Sequence, residues 1–555
     1  MSARERTDTR RPHAARGRWR PGGAARRLPD TFAVPAVAAV LLAVALEVVG
    51  VLGVGAGLLP VPTTVAPALV AVAPIYLQNI PVTLGEAALG YALGNGLALL
   101  LALLAVGWAP LRALVYQSGL ILYALPWVVV SPLAVVYLGN GMAPRALLAT
   151  VACVFPTLTN TLRGLRAAPP GAREVFRLYG ASGPERLRRL VLPYALPDIF
   201  TALRFTVGIA FVAALVSEWS GGASGVGTLM LYQMYRGATT ELWATITLVG
   251  ATTGLLFALI ALLDRLALPW VRHVGAPGAP TTPHASGTDA RAQQGAWHWV
   301  RARRALWTPL GTAAILAGVL VLAWSEAIAL WRIPAYQMPT PGSVGDVLVH
   351  QPDVYRDDLT TTIGETVAGF LLGSALGYAL ALLFMLSRRL ALVSFPVAIA
   401  FQAVPVVALV PLITLLLGHG TAAILCVVVL VTFFPTLLGV GRGLDALGPG
   451  PRDLFRLAGA SRWETVRHLA IPASLPALFG SLRIGATAAV FGATAGEWLA
   501  GSRGLGIAMV KAAVSIDLTT LWADALLTVG LSLLLVALVV GVGRAALARS
   551  GRAAD

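Results

Sequence analysis

EVFRLYGASGPERLRRLVLP (174–193) and DLFRLAGASRWETVRHLAIP (453–472) are one pattern written twice, with glycine as the seventh residue and proline as the twentieth in both. The residues before Gly180 read as a short helix with Phe176 and Leu178 as apolar positions. The glycine interrupts it, and residues from about Pro184 to Leu192 read as a second helix ending near Pro193. A polar, L-shaped element of this kind suits docking into a partner's groove. The plainer alternative is a basic amphipathic segment lying on lipid headgroups, but that does not require one glycine-to-proline spacing to be kept in two copies.

The likeness extends well beyond the loops. From Glu174 to Arg204 against Asp453 to Arg483, 15 of 31 positions are identical. The same offset of 279, with no gap, pairs Gly85-Glu86 with Gly364-Glu365, Pro126 with Pro405, Phe155-Pro156 with Phe434-Pro435, Glu218-Trp219 with Glu497-Trp498, and Trp243 with Trp522. Apolar composition alone does not align prolines, glycines and charges, so the chain reads as a duplication and fusion.

Hydrophobic residues fill 57% of the 555 positions and charged residues 12%, which is more apolar surface than a water-soluble chain could bury. Six stretches of spanning length are expected in each half. They lie near 32–54, 83–106, 113–138, 143–163, 197–219 and 241–264, then 308–330, 362–386, 391–417, 421–441, 477–498 and 520–543. The expected fold is an all-α polytopic membrane protein of about 12 transmembrane helices in two tandem six-helix repeats. Its expected parts are a basic tail (1–30), a first repeat (31–268), a linker (269–305), a second repeat (306–545) and a C-terminal tail (546–555). The arginine-rich start before the run 32–54 reads as the cytoplasmic start of a retained helix rather than a cleaved signal. That orientation puts 33 of the 41 basic residues in cytoplasmic segments, six in external ones and two, Arg204 and Arg483, within the fifth helices, in accord with the positive-inside rule. It accounts for the net charge of +16 without nucleic acid. A multi-pass chain in the cell (inner or plasma) membrane, with both termini cytoplasmic, is expected.

These features together resemble the permeases of ATP-binding cassette (ABC) importers. Both loops are similar to that family's EAA motif, E-A-A-x-x-x-G-x(9)-I-x-L-P. The motif glutamate falls on Glu174 and Asp453, and the glycine on Gly180 and Gly459, followed by Ala181-Ser182 and Ala460-Ser461. The terminal proline falls on Pro193 and Pro472, while Val175-Phe176 and Leu454-Phe455 replace the two alanines, and Leu190 and Leu469 the isoleucine. LPVPTT (59–64), MPTPGSV (338–344), FFPTLLGVGRGLD (433–445) and GEWLAGSRGLG (496–506) look most like the nitrate/sulfonate/taurine branch. That branch is usually built from separate six-helix subunits, and fusion is commoner in the iron and thiamine permeases. The resemblance implies that both loops grip separate ABC ATPase subunits, in two copies, and that an extracytoplasmic solute-binding protein serves the outer face. The solute it implies is nitrate-, sulfonate- or taurine-like, or a pyrimidine or vitamin precursor, with iron or thiamine as the alternative class. It implies no cofactor.

The chain carries no phosphate-cradling G-x-x-x-x-G-K-[ST] loop: its single lysine, Lys511, is followed by Ala512 and lacks the preceding glycine. Cys153 and Cys426 lie in apolar segments at non-equivalent positions, and the seven histidines show no ligand spacing, so no disulfide or metal is expected. Carboxylates within membrane segments are functional candidates, and Glu47/Glu326, Glu86/Glu365 and Glu218/Glu497 all recur at the repeat offset. The plainer reading of the last two pairs is an acid near an interface, hydrated or paired; for Glu47 and Glu326 it is pairing with a neighbouring helix. Candidate path residues are Tyr123, Pro126, Gln402 and Pro405 on the third helices, with Glu218 and Glu497 on the fifth. Tyr123 and Gln402 are equivalent by offset, so the path would present a different side chain from each repeat. Two other classes stay open on the residues alone. One is an ion-gradient-driven secondary transporter. The other is a membrane-embedded enzyme, for which Ser131, Ser182 and Ser461 have no His and Asp company in sequence.

Overall fold

The computed structural model describes residue 47 and residues 61–107, 126–270, 309–334, 337–386 and 406–549. The first repeat contributes α1 (Pro62–Gly107), α2 (Val130–Leu138), α3 (Met142–Gly164), α4 (Pro170–Leu178), α5 (Gly183–Glu218), α6 (Val226–Tyr235) and α7 (Thr239–Ala267). The second contributes α8 (Pro309–Trp331), α9 (Pro341–His350), α10 (Pro352–Leu386), α11 (Val410–Leu417), α12 (Thr421–Asp445), α13 (Pro449–Leu457), α14 (Arg462–Ala500), α15 (Leu505–Val514) and α16 (Leu518–Arg549). Proline opens α1, α4, α9, α10 and α13, where its missing N–H would have had no partner in any case.

Among the described residues eight helices are long and apolar enough to cross a membrane: α1, α3, α5 and α7, then α10, α12, α14 and α16. The α8 helix covers the span expected near 308–330. The span expected at 32–54 lies outside the described residues except for Glu47, as do 113–125 and 391–405 of the third spans. What is described of the third spans is a 3-10 turn followed by a short helix, Trp127–Val129 into α2 and Val406–Leu409 into α11. Residues 271–305 of the expected linker are likewise outside the description.

Three boundaries depart from expectation. First, α1 starts at Pro62 rather than near residue 83 and runs through Pro67, Pro74 and Pro81. All three prolines lie on the helix's exposed side, and a membrane helix tolerates prolines that would end it in water. The second repeat breaks at the equivalent place, between α9 and α10. Second, the helix that begins at Gly183 does not end at Pro193. A π turn at Leu187–Val191 lets the Leu192 N–H bond to Leu187 O. The wider turn absorbs the proline ring that would otherwise strike the preceding turn's carbonyl, so α5 continues to Glu218. Val466–Ala470 does the same before Pro472. Third, the segments after the fifth spans, left outside the expected spans, contain α6 and α15.

Small residues bring the helices together, as expected where lipid gives apolar surfaces no reason to associate. A Cβ at Gly90 or Gly94 of α1 would collide with Ala149 or Thr150 of α3, and one at Gly373 or Gly377 of α10 with Thr432 or Phe433 of α12. One apolar core joins the repeats, uniting Val128, Phe211 and Leu215 with Val407, Val490 and Phe491. At its edge the Trp127 ring lies 4.4 Å from that of Phe491, and Trp522 Nε1 donates to Tyr137 Oη at 2.9 Å.

Candidate functional site

The duplicated loops fold alike. After α4, Gly180 takes φ +68°, and after α13, Gly459 takes φ +72°. The Ala181 N–H reaches back to Phe176 O and the Gly180 N–H to Arg177 O, both at 3.0 Å; Ala460 and Gly459 bond Phe455 and Arg456 at the same distance. This is the Schellman ending, which needs a left-handed residue at the position both glycines hold. Ser182 and Ser461 then cap the following helix, accepting from the Glu185 and Glu464 amides at 3.4 and 3.2 Å. In the second loop Glu464 also accepts from the Ser461 amide at 2.7 Å, completing a capping box. The bonds from Ser461 hold the Glu464 carboxyl below its ordinary value of 4.5. The stabilisation that the carboxylate adds to the cap is therefore fully present above about pH 4.5 and is lost as pH falls through the lowered value, while the Ser461 hydroxyl's own bond does not titrate. Arg173 and Arg452, which sequence reading passed over, tie the loops to the preceding helices through Leu165 O and Leu444 O. Glu174 is exposed, and Asp453 pairs loosely with Arg456 at 3.5 Å.

Once these bonds are made, the apolar side chains around the turn are left in the open. Leu178 is 87% exposed, Tyr179 86% and Leu457 87%, with Trp463 also exposed. Each repeat thus presents an apolar ridge flanked by arginines at the end of the molecule where α3 and α12 finish.

At the opposite end each repeat closes on a buried carboxylate. Glu218 Oε1 accepts from Thr83 Oγ1 at 2.6 Å, and its Oε2 from the Gly227 amide at 2.5 Å. The Val226 amide donates to Thr83 Oγ1 and the Gly225 amide to Asn79 Oδ1, at 2.9 and 3.0 Å. The second repeat makes the same bonds: Glu497 accepts from Thr362 Oγ1 and the Gly506 amide, the Leu505 amide donates to Thr362 Oγ1 and the Gly504 amide to Asp358 Oδ1, at 2.6–2.9 Å. The carboxylates satisfy the orphan amides at the starts of α6 and α15 and sit at the positive ends of those helices. Glu218 is 1% exposed and Glu497 0%, so the hydrated reading of these acids fails for a structural reason: they are internal caps.

Glu86 is also buried, and Arg145 Nη1 donates to its Oε1 at 2.5 Å. In the second repeat Ile424 stands where Arg145 would be, and Glu365 instead meets Thr421. Glu47 accepts from the Thr63 hydroxyl at 2.7 Å, pairing with the start of α1. Replacing Glu86 with alanine strands a buried guanidinium, which is expected to cost about 3–5 kcal/mol. Thermal unfolding of the purified chain would register this as a large drop in midpoint.

Between the repeats lies a cavity of about 830 Å³, walled by α3 and α5 on one side and α14 on the other. Pro126, Trp127 and Phe491 close one end, while Arg163 and Arg166 stand where α3 finishes, at the end that carries the loops. Of the candidate path residues Pro126 lines this cavity, Glu218 and Glu497 are buried in the caps, and Tyr123, Gln402 and Pro405 lie outside the described residues. Arg483, noted in sequence only as a charge within a helix, is part of the wall. Ser131 bonds Ser217 and Ser220 rather than a histidine or an acid.

The sequence profile of the family described as "Binding-protein-dependent transport system inner membrane component" matches residues 94–273 and again 369–550. A "Probable ABC transporter permease protein" of Haemophilus influenzae is 32% identical over 221 residues, 40% of this chain and 90% of that protein. A "Putative aliphatic sulfonates transport permease protein" of Bacillus subtilis is 30% identical over 228 residues, 40% of this chain and 82% of that one. The riboflavin transport system permease protein of Chloroflexus aurantiacus is 33% identical over 205 residues, 36% of this chain and 75% of its own length. Each relative matches less than half of this chain, as a single-copy protein should when its counterpart is a tandem fusion. With the family profile found once in each repeat, the chain belongs to the binding-protein-dependent transport system inner membrane components, as a duplicated ABC-importer permease.

Proposed function

We propose that the two loops are the sites at which two copies of a separate ABC ATPase dock, and that the loop-bearing end, with both termini, is cytoplasmic. The observation that carries this reading is the pair of apolar ridges around Leu178 and Leu457, left exposed beside arginines at the loop-bearing end. Exposed apolar surface framed by charge marks an interaction site. In this reading an extracytoplasmic binding protein delivers solute to the opposite face, and the cavity is the cytoplasm-side part of the path. Pro126 lines the path. Glu218 and Glu497 shape it indirectly, by holding α6 and α15 in place.

The relatives' names point to small solutes such as sulfonates, riboflavin, formylaminopyrimidine and bicarbonate. A nitrate-, sulfonate- or taurine-like solute, or a pyrimidine or vitamin precursor, is consistent with these names and with the cavity's size. Reconstitution in proteoliposomes with a partner ATPase and binding protein tests the energy source. Accumulation that requires ATP and survives a protonophore is expected; accumulation by the chain alone that follows an ion gradient would instead make it a secondary transporter.

A further inference from the structure

The two fifth helices carry equivalent arginines whose surroundings have diverged. Arg204 of the first repeat is neutralised by an ion pair with Asp264 of α7, and its guanidinium lies 5.5 Å from the Phe257 ring centroid. The 279-residue offset puts Gly543 in place of Asp264 and Val536 in place of Phe257. Arg483 has therefore lost both the acid and the aromatic face, and among the described residues no carboxylate pairs with it. It does not face lipid, since it forms part of the inter-repeat cavity wall, about 12 Å along α14 from Phe491. An arginine inside a membrane segment is costly and is kept where it pairs with something.

The rest of the wall agrees. Its charged members are Arg163, Arg166 and Arg483, with no acid among the lining residues. Arg163 is held by Asp198 at 2.7 Å, which leaves Arg166 and Arg483 to present positive charge beside the hydroxyls and amide of Thr159, Asn160 and Thr487.

We infer that Arg483, supported by Arg166, binds the oxyanion group of the transported solute, so that a carboxylate, sulfonate or similar group in the cavity neutralises Arg483 as Asp264 neutralises Arg204. A planar guanidinium fork matches two oxygens of such a group. The inference rests on the permease reading, and it narrows the solute to an anion, disfavouring a neutral pyrimidine or vitamin precursor. The same chemistry would accept a lipid phosphate; we commit to the solute.

The test is saturation binding of radiolabelled ethanesulfonate to the purified full-length chain in phosphatidylcholine nanodiscs. The expected result is saturable binding that Arg483→Gln weakens at least tenfold, Arg166→Gln weakens less, and Arg483→Lys partly restores. Monodispersity and association with the ATPase should be unchanged in all three variants. Equal affinity in Arg483→Gln, or no saturable binding to the wild type while the ATPase still associates, would overturn the oxyanion site and leave the permease reading standing. Displacement of the probe by phosphatidylglycerol, with no displacement by free sulfonates, would assign the site to lipid and overturn the solute claim.

Discussion

Gly504→Ala, and its counterpart Gly225→Ala, are expected to destabilise the folded chain by about 3–5 kcal/mol each, from backbone strain and overpacking together. Both glycines open a short helix with φ near the middle of the left-handed half of the map, +117° and +119°. A methyl group built on either would fall within the carboxylate of Glu497 or Glu218. Those carboxylates are fixed by a threonine hydroxyl and a glycine amide, so they cannot swing away without leaving buried groups unpaired. Against a typical stability of about 5–15 kcal/mol, either substitution should sharply lower the thermal midpoint or the yield of monodisperse protein. Gly180→Ala is the control. Its φ is also positive, but nothing lies within 4 Å of the added methyl, so only the left-handed cost of about 1–2 kcal/mol applies. Equal losses at Gly180 and Gly504 would mean that the buried carboxylates are not the clamp described.

The second large effect is expected on transport rather than on stability. In the double variant Leu178→Asp/Leu457→Asp, both side chains are almost fully exposed, so folding should change by no more than about 0.5 kcal/mol, as surface substitutions usually do. If the ridges fill grooves on the ATPase, a charge at the centre of each contact should cost about 2 kcal/mol or more per site. ATP-driven uptake should then fall at least tenfold while the thermal midpoint stays within a degree or two. Each single variant separately reports whether the two loops carry equal weight. The complete capping box at Ser461 and Glu464, against the one-sided cap at Ser182, makes the second loop the stiffer and Leu457→Asp the more damaging of the pair.

Much of this was legible in the sequence because duplication doubles every signal. The offset of 279 marked Gly180/Gly459, Pro193/Pro472 and Glu218/Glu497 as positions under a shared constraint, and the first and last of these pairs hold equivalent backbone geometry or identical bonds. What could not be read was the identity of partners far apart in the chain. Thr83 and Asn79 meet the start of α6 from more than 140 residues away, and no local periodicity announces that. Proline signals misled in one direction, since Pro67, Pro74, Pro81 and Pro193 would punctuate helices in water, whereas here α1 runs on through the first three and a π turn absorbs the fourth. Glu218 and Glu497 looked like end-of-helix acids because the short helices they cap lay outside every expected span. The divergence of Arg204 and Arg483 was present in the sequence at Asp264 and Gly543, but only the contact across α5 and α7 gave those two positions a meaning.

The central claim is that this permease is driven through its two loops by a separate ATPase. Co-purification of the tagged full-length chain with the candidate ATPase, wild type against Gly180→Pro/Gly459→Pro, tests it most directly, because proline cannot adopt the positive φ that both turns require. A stable complex with the wild type, lost in a variant that still inserts and stays monodisperse, is the predicted result; a variant that retains the ATPase, or a well-folded wild type that binds none under any nucleotide condition, would contradict the account.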